Sequence, residues 1–142
     1  MADTRLISFT SAGQDYAVPI SAVREVLRVD RVESVPGSRP PLEGIVIYRE
    51  NQILPVFSLP QVLGESTEVK GNFVVVVEIE GHTLGFRIER IGGVADYPSA
   101  EEIEEYTGTL NAVPGAIDGS WKSGRGTLLL LQLERALGDY IA

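Results

Sequence analysis

Short apolar or alternating segments follow one another along the chain, and residues typical of turns separate them. Segments of four to eight residues that are rich in valine, isoleucine and phenylalanine favour β-strands. Gly92 and Gly93 predict a break or bend in one of them. The pattern predicts about ten short strands and little helix. The predicted strands include residues 6–10, 16–18, 23–32, 44–48, 53–59, 73–80, 83–91, 112–121 and 127–133.

Helical signals are few and short. Ser21 is a candidate N-cap for one helical turn, and residues 60–63 form another candidate turn that Gly64 closes. Ser99 and Glu102 have the spacing of a capping box, which predicts a short helix there. Residues 134–141 predict a short terminal helix.

The strand pattern occurs twice. Residues 7–26 match residues 75–94 at an offset of 68, so that Val23 corresponds to Ile91. Residues 40–64 match residues 114–138 without gaps at an offset of 74. A duplicated β unit predicts an all-β fold of two small five-stranded barrels packed side by side. We expect one domain over residues 1–142, with approximate halves 1–66 and 67–142 that can exchange strands; residues 65–71 are the candidate join.

Composition and charge exclude several classes of partner. The chain has 142 residues, 44% hydrophobic and 23% charged, as is ordinary for one globular domain. No stretch approaches the roughly 20 apolar residues of a membrane helix, so we expect no membrane insertion. The net charge of -8 disfavours nucleic acid. Residues 65–142 carry 6 basic and 13 acidic side chains, net -7, so most of the negative charge lies in the second half.

The chain offers little for catalysis. It has no cysteine and one histidine, His82, which follows a turn glycine and is expected to be solvated. The acidic residues between Glu101 and Glu105 lack the alternating spacing of a calcium loop, so a solvated helix face is the simpler interpretation. We therefore expect no enzymatic activity, no metal and no cofactor.

One ordered set of residues resembles the CheW-like family of bacterial chemotaxis proteins, over residues 5–140. Each motif is weak by itself, but their order and spacing are specific. The matching positions are Phe9, Gly13, Tyr16, Pro19, Ile20, Val23, Glu25, Val26, Leu27, Pro36, Gly44, Ile45, Arg49, Pro55, Leu59, Gly85, Ile88, Ile91 and Val94.

The resemblance implies two SH3-like barrels and a non-catalytic adaptor. Such an adaptor couples the cytoplasmic tip of transmembrane chemoreceptors to the regulatory domain of a CheA-type histidine kinase. It would be cytoplasmic, recruited to membrane-associated receptor arrays, and a monomer in isolation. The resemblance also implies a receptor groove between the barrels and kinase contacts at the barrel ends.

Particular residues are expected to form these surfaces. An apolar strip with a few charges suits a helix lying in a groove. The expected receptor-binding residues are Ile20, Val23, Glu25, Arg49, Ile91 and Val94. The expected kinase-binding residues are Gly44 and Ile45. Core packing for the aliphatic residues, and a surface ion pair for Glu25 and Arg49, remain open alternatives.

The chain departs from the family at one turn. The usual Asn-x-Arg-Gly run corresponds here to Ile47, Tyr48, Arg49 and Glu50, with one extra residue in the turn. Asn51 is then a candidate to supply the positive φ of the missing glycine. A diverged adaptor of another chemosensory-type pathway and a β-barrel ligand-binding module are the alternative functions.

Overall fold

The strand pattern of the sequence recurs in the computed structural model, which describes residues 5–65, 68–124 and 126–140. Within these ranges there are eleven strands and five short helical segments. The strands are β1 Arg5–Ser11, β2 Gln14–Pro19, β3 Val23–Arg28, β4 Leu42–Tyr48, β5 Gln52–Phe57, β6 Phe73–Ile79, β7 His82–Ile88, β8 Arg90–Asp96, β9 Ile103–Glu104, β10 Ile117–Ser123 and β11 Gly126–Leu131. The helices are α1 Leu59–Val62 and α2 Leu133–Leu137, with 3-10 turns at Ile20–Ala22, Ala100–Glu102 and Gly138–Tyr140.

Several predicted boundaries are wrong. Ser21 lies inside a 3-10 turn whose N-cap is Pro19, so it caps nothing. Strand β3 ends at Arg28 rather than at residue 32. Gly92 and Gly93 lie inside β8 and form a bulge opposite Ser8, which confirms the predicted bend, whereas the boundary between β7 and β8 falls at Glu89. The last helix is shorter than predicted and continues as a 3-10 turn. Residue 141 and part of the join at 65–71 lie outside the described residues.

Two local predictions are confirmed. The capping box is present: Glu102 Oε1 accepts a hydrogen bond from the Ser99 backbone N–H at 3.1 Å. Gly64 follows α1 and has a φ of 99°, which only glycine adopts easily after a helix.

Each sheet draws strands from both halves of the chain. One sheet has the order β8-β1-β2-β11-β10-β9, and the other has the order β3-β6-β7-β5-β4. The repeat relates β1, β2 and β3 to β6, β7 and β8. Strands β3 and β8 are exchanged, because β3 pairs with β6 and β8 pairs with β1. The parallel pairs match as well: Leu130 lies opposite Ala17 as Val56 lies opposite Gly85.

The second repeat contains a one-residue shift that the ungapped alignment missed. Gly44 pairs with Val56, and Gly119 pairs with Leu130. Strands β5 and β11 therefore correspond at an offset of 74 (130 − 56), but β4 and β10 at 75 (119 − 44). The β4–β5 turn absorbs the difference, since three residues separate Tyr48 from Gln52 and two separate Ser123 from Gly126.

The two sheets form SH3-like barrels that share a core. We call them the β1 barrel (β8-β1-β2-β11-β10-β9) and the β6 barrel (β3-β6-β7-β5-β4). The chain after β3 returns to β4 through a bridge between Glu33 and Ile45, and β9 pairs in the same way with β10. Aromatic rings lie at the centre of the shared core: Phe9 is 5.2 Å from Phe86 and 5.7 Å from Tyr16 between ring centroids. This packing fixes the two barrels against each other.

Candidate functional site

One end of the β6 barrel carries a hydrogen-bonded network of three side chains. Glu25 projects from β3, while Tyr48 ends β4 and Arg49 opens the following turn. The Tyr48 hydroxyl donates a hydrogen bond to Glu25 Oε1 at 2.5 Å, and Arg49 Nη2 lies 3.1 Å from the same oxygen. The guanidinium carbon of Arg49 is 5.6 Å from the centre of the Tyr48 ring. The structure therefore brings together Glu25 and Arg49, which are 24 residues apart in the sequence.

The network changes the protonation of its members. The hydrogen bond from Tyr48 lowers the pKa of Glu25, and Arg49 lowers it further. The same hydrogen bond raises the pKa of Tyr48, because losing its proton would place two negative charges side by side. The pKa of Arg49 is raised by its hydrogen bond to Glu25. Glu25 thus stays ionised and anchors both neighbours.

The turn beside this network has an unusual backbone. Glu50 and Asn51 have φ values of 52° and 67°, in the left-handed region. Asn51 therefore takes a positive φ as predicted, and Glu50 does so as well, although a glutamate rarely adopts it. The strained turn holds Arg49 over the Tyr48 ring.

The predicted apolar groove residues divide into half-buried and exposed pairs. Ile20 and Val23 are half-buried, and Val23 packs against the shared core opposite Val77. Ile91 and Val94 on β8 are 37% and 51% exposed. The repeat relates Val23 to Ile91, yet their surroundings differ. The two exposed side chains remain available to a partner.

A cavity of about 400 Å³ lies at the seam and is lined by residues of both barrels. None of the six predicted groove residues lines it, although Ser21 and Ala22 separate Ile20 from Val23 along the chain. Glu78, Asp118 and Glu134 give it an acidic rim, and Arg24 lies 2.9 Å from Glu78. This seam cavity complements a partner with basic side chains.

Gly44 and Ile45, the predicted kinase-binding residues, lie where β4 passes very close to the backbone of Glu33. Gly44 is buried in β4, and a Cβ atom there would lie 2.2 Å from the Glu33 carbonyl oxygen. Ile45 is half-buried and exchanges backbone hydrogen bonds with Glu33 at 2.8 and 2.9 Å. Glycine therefore permits the close approach that completes the β6 barrel.

Sequence reasoning missed an exposed apolar pair on the β4–β5 hairpin. Ile47 and Ile53 are cross-strand partners, and they are 60% and 63% exposed. The unbroken apolar run of β4 hid the alternation that would have marked Ile47 as outward-facing. A groove of about 550 Å³ adjoins this pair, between residues 27–31 and 46–49. Its lining contains three basic side chains, Arg28, Arg31 and Arg49, and one acidic side chain, Asp30. We call this the hairpin groove.

Catalytic and membrane-spanning features are sparse in the described part of the chain. His82 is exposed at the β6–β7 turn, as predicted. Within residues 5–65, 68–124 and 126–140 no cluster of three or more histidine or carboxylate side chains is arranged to hold a metal. None of the helices described has the length and apolar character needed to cross a bilayer.

Comparisons with known proteins agree on one family. The family model of the CheW-like domain matches residues 5–140. The chain is 25% identical to the chemotaxis protein CheW of Treponema pallidum over 139 residues, which cover 92% of this chain and 80% of that protein. It is 30% identical to the chemotaxis protein CheW of Thermotoga maritima over 90 residues, which cover 63% of this chain and 59% of that protein.

A solved structure shows the same fold. The crystal structure of the scaffolding protein TtCheW from Thermoanaerobacter tengcongensis superposes with a TM-score of 0.78 at 22% identity. The match covers 94% of this chain and 86% of that one.

Proposed function

The chain belongs to the CheW-like domain family, and on that premise we propose that it is a non-catalytic adaptor in chemosensory signalling. It couples the cytoplasmic tip of chemoreceptors to the regulatory domain of a CheA-type histidine kinase. It acts in the cytoplasm as a monomer that joins membrane-associated receptor arrays. The exposed apolar face of β8 carries this proposal, because an unpartnered apolar patch on a folded domain indicates a binding surface.

The receptor surface is centred on β8 and the seam. Ile91, Val94 and Tyr97 are exposed by 37%, 51% and 43% of their surface. An amphipathic helix of the receptor tip would cover these side chains and place basic residues on the acidic rim of the seam cavity. Ile20 and Val23 remain part of the proposed receptor surface, on the turn after β2 and the start of β3. Because Val23 is packed against the shared core, its contribution is mainly to shape.

The kinase surface is the end of the β6 barrel. Gly44 and Ile45 set the path of β4 there, and Ile47 and Ile53 supply exposed apolar area. Glu25 and Arg49 lie at the boundary of this surface, where they hold the β4–β5 turn in place. Both residues remain receptor contacts and have a second role in shaping the kinase surface.

Two substitutions separate the two surfaces. Ile91→Asp should weaken binding to a receptor-tip fragment by about tenfold or more and leave kinase binding unchanged, because it places a charge in an apolar contact. Ile47→Asp should do the reverse. Isothermal titration calorimetry against each purified partner measures both affinities. Ile47 is 60% exposed and Ile91 is 37% exposed, and circular dichroism checks that each variant folds.

His82→Asp is the matched control, since it adds a carboxylate at an exposed turn. It should leave both affinities unchanged. Wild-type protein that binds neither partner would refute the adaptor proposal. Binding to a kinase or receptor of another chemosensory-type pathway alone would instead identify a diverged adaptor. Equal losses for both partners in Ile91→Asp would refute the division into two surfaces.

A further inference from the structure

The β1 barrel carries a cavity of about 470 Å³, and Val94 is the one proposed receptor contact among its lining residues. Its walls come from five strands and the β10–β11 turn. They are largely apolar at Leu6, Phe9, Ala17, Trp121 and Leu128, of which the first three are almost completely buried. Ligand pockets in proteins range from about 300 to 1,000 Å³ and combine apolar walls with a few polar groups. The size and lining of this cavity fall in that class.

Larger side chains occupy the equivalent positions of the β6 barrel. Tyr48, Leu54, Val56, Val74 and Val76 pack together there, with Leu27 against them. The repeat replaces three of these side chains by smaller ones in the β1 barrel. The replacements are Ser8 for Val76, Ala95 for Leu27 and Ser123 for Tyr48, and all three line the cavity.

The mouth of the cavity differs in the same way. Glu25, Tyr48 and Arg49 form a network across one end of the β6 barrel. Their equivalents in the β1 barrel are Gly93, Ser123 and Gly124, which also line the cavity. Leu6, Ala17 and Leu130 still pack together in the β1 barrel, but three neighbouring side chains are smaller there, and glycines replace Glu25 and Arg49 of the network. The two copies of the duplicated unit therefore differ in packing: the cavity of the β1 barrel lies where the β6 barrel has the larger side chains of Leu27, Tyr48 and Val76.

One corner of the cavity is polar. Arg90 Nε donates a hydrogen bond to Thr10 Oγ1 at 3.3 Å, and the Thr10 hydroxyl donates to Asp15 Oδ1. Asp15 Oδ2 makes no hydrogen bond to the described residues. This oxygen can accept a hydrogen bond from a ligand. The charges of Arg90 and Asp15 cancel, which favours an uncharged ligand over an anion or a cation.

We propose that the cavity of the β1 barrel binds a small, uncharged aromatic molecule that carries one hydroxyl or N–H donor. Its ring lies among Leu6, Ala17, Leu128 and Trp121, and its donor group meets Asp15. The site does not depend on the adaptor role. It is a further binding function of the β1 barrel and shares Val94 with the proposed receptor surface.

Trp121 gives a direct assay, because it is the chain's one tryptophan and it lines the cavity. The probe is 4-bromophenol, which is uncharged at neutral pH and whose bromine quenches tryptophan fluorescence on contact. We expect saturable quenching of the full chain. The probe 4-bromoanisole has the same ring without the donor and should bind more weakly. Absence of saturable quenching, or equal affinity for both probes, would overturn the proposal.

Two variants give the β1 barrel the larger side chains that the β6 barrel has at the equivalent positions. Ala95→Leu and Ser8→Val place the β6-barrel side chains in the cavity, and each should weaken 4-bromophenol binding by about tenfold or more. Ile91→Ala is the control, since Ile91 lies on the same strand but outside the lining, and it should bind like wild type. Circular dichroism identifies which filled variants fold, and a folded one that binds 4-bromophenol as wild type does would refute the site.

Discussion

At the scale of single residues, the Glu25 carboxylate is held by two donors from another strand. It is 26% exposed, whereas its partner Arg49 is 68% exposed, so water screens the ion pair more than the hydrogen bond to Tyr48. A surface ion pair alone contributes little to stability. The tyrosine makes this pair different, because it fixes the carboxylate and stacks beneath the guanidinium. The sequence predicted that Glu25 and Arg49 could pair, but it did not predict the hydrogen bond from Tyr48. Nothing in the linear pattern shows that β3 and the end of β4 lie side by side.

The lowered pKa of Glu25 predicts how stability depends on pH. A carboxyl group with a lower pKa in the folded state stabilises the fold above its ordinary titration range. That contribution is lost as the pH falls through the folded-state pKa. Glu25→Gln should therefore be less stable than wild type at neutral pH, and the difference should shrink on acidification. Thermal unfolding followed over a series of pH values measures this difference.

Glu50→Gln is the control for this experiment, because it removes a carboxylate from the same turn but outside the network. It should not reproduce the pH-dependent difference. If Glu25→Gln differs from wild type by a constant amount at all pH values, the ionised Glu25 contributes nothing through its pKa.

At the scale of elements, the alternation and repetition of the sequence predicted where most strands lie. They were less successful for strand bounds that depend on pairing. Strands β1, β2, β6 and β7 follow clear apolar patterns, and the structure has all four. The bounds of β3 and β8 were wrong because tertiary pairing decides them: β8 continues through Gly92, where a Cβ would lie 2.3 Å from Ser8 Oγ. Gly92 therefore allows close packing on β1, and the two glycines bend β8 at a bulge, as predicted, without ending it. The two-residue strand β9 is too short to give a pattern.

The passage of β4 beside Glu33 makes a second prediction. Gly44→Ala adds a methyl group where the Glu33 carbonyl oxygen lies, and the backbone must move to accommodate it. Overpacking of this kind costs about 1–3 kcal/mol of unfolding free energy. Urea denaturation should show that loss, with weaker kinase binding as a consequence of the displaced β4. Gly138→Ala is the matched control, since its Cβ would meet open space; an equal loss there would contradict the steric explanation.

At the scale of the whole molecule, duplication explains the architecture but conceals the connectivity. Two matched repeats predicted two barrels, and the structure has them. The sequence could not show that β3 and β8 cross over, because similar strands fit either sheet by pattern alone. The asymmetry of the barrels was also hidden. It depends on Ser8 and Ala95, which the offset of 68 aligns with Val76 and Leu27, and on Ser123, which aligns with Tyr48 only at the offset of 75 between β4 and β10.

The exchange of strands predicts that neither half folds alone. A fragment of residues 1–66 would contain β1 to β5 but would lack β6 and β7, between β3 and β5 in the second sheet. A fragment of residues 67–142 would lack β1 and β2, between β8 and β11 in the first. Each would expose unpaired strand edges and half of the shared core. Circular dichroism should therefore show each fragment unfolded, and an equimolar mixture should regain the β spectrum and a cooperative thermal transition. A fragment that folds by itself would refute this prediction, because it would mean that the shared core and the exchanged strands are not required for folding.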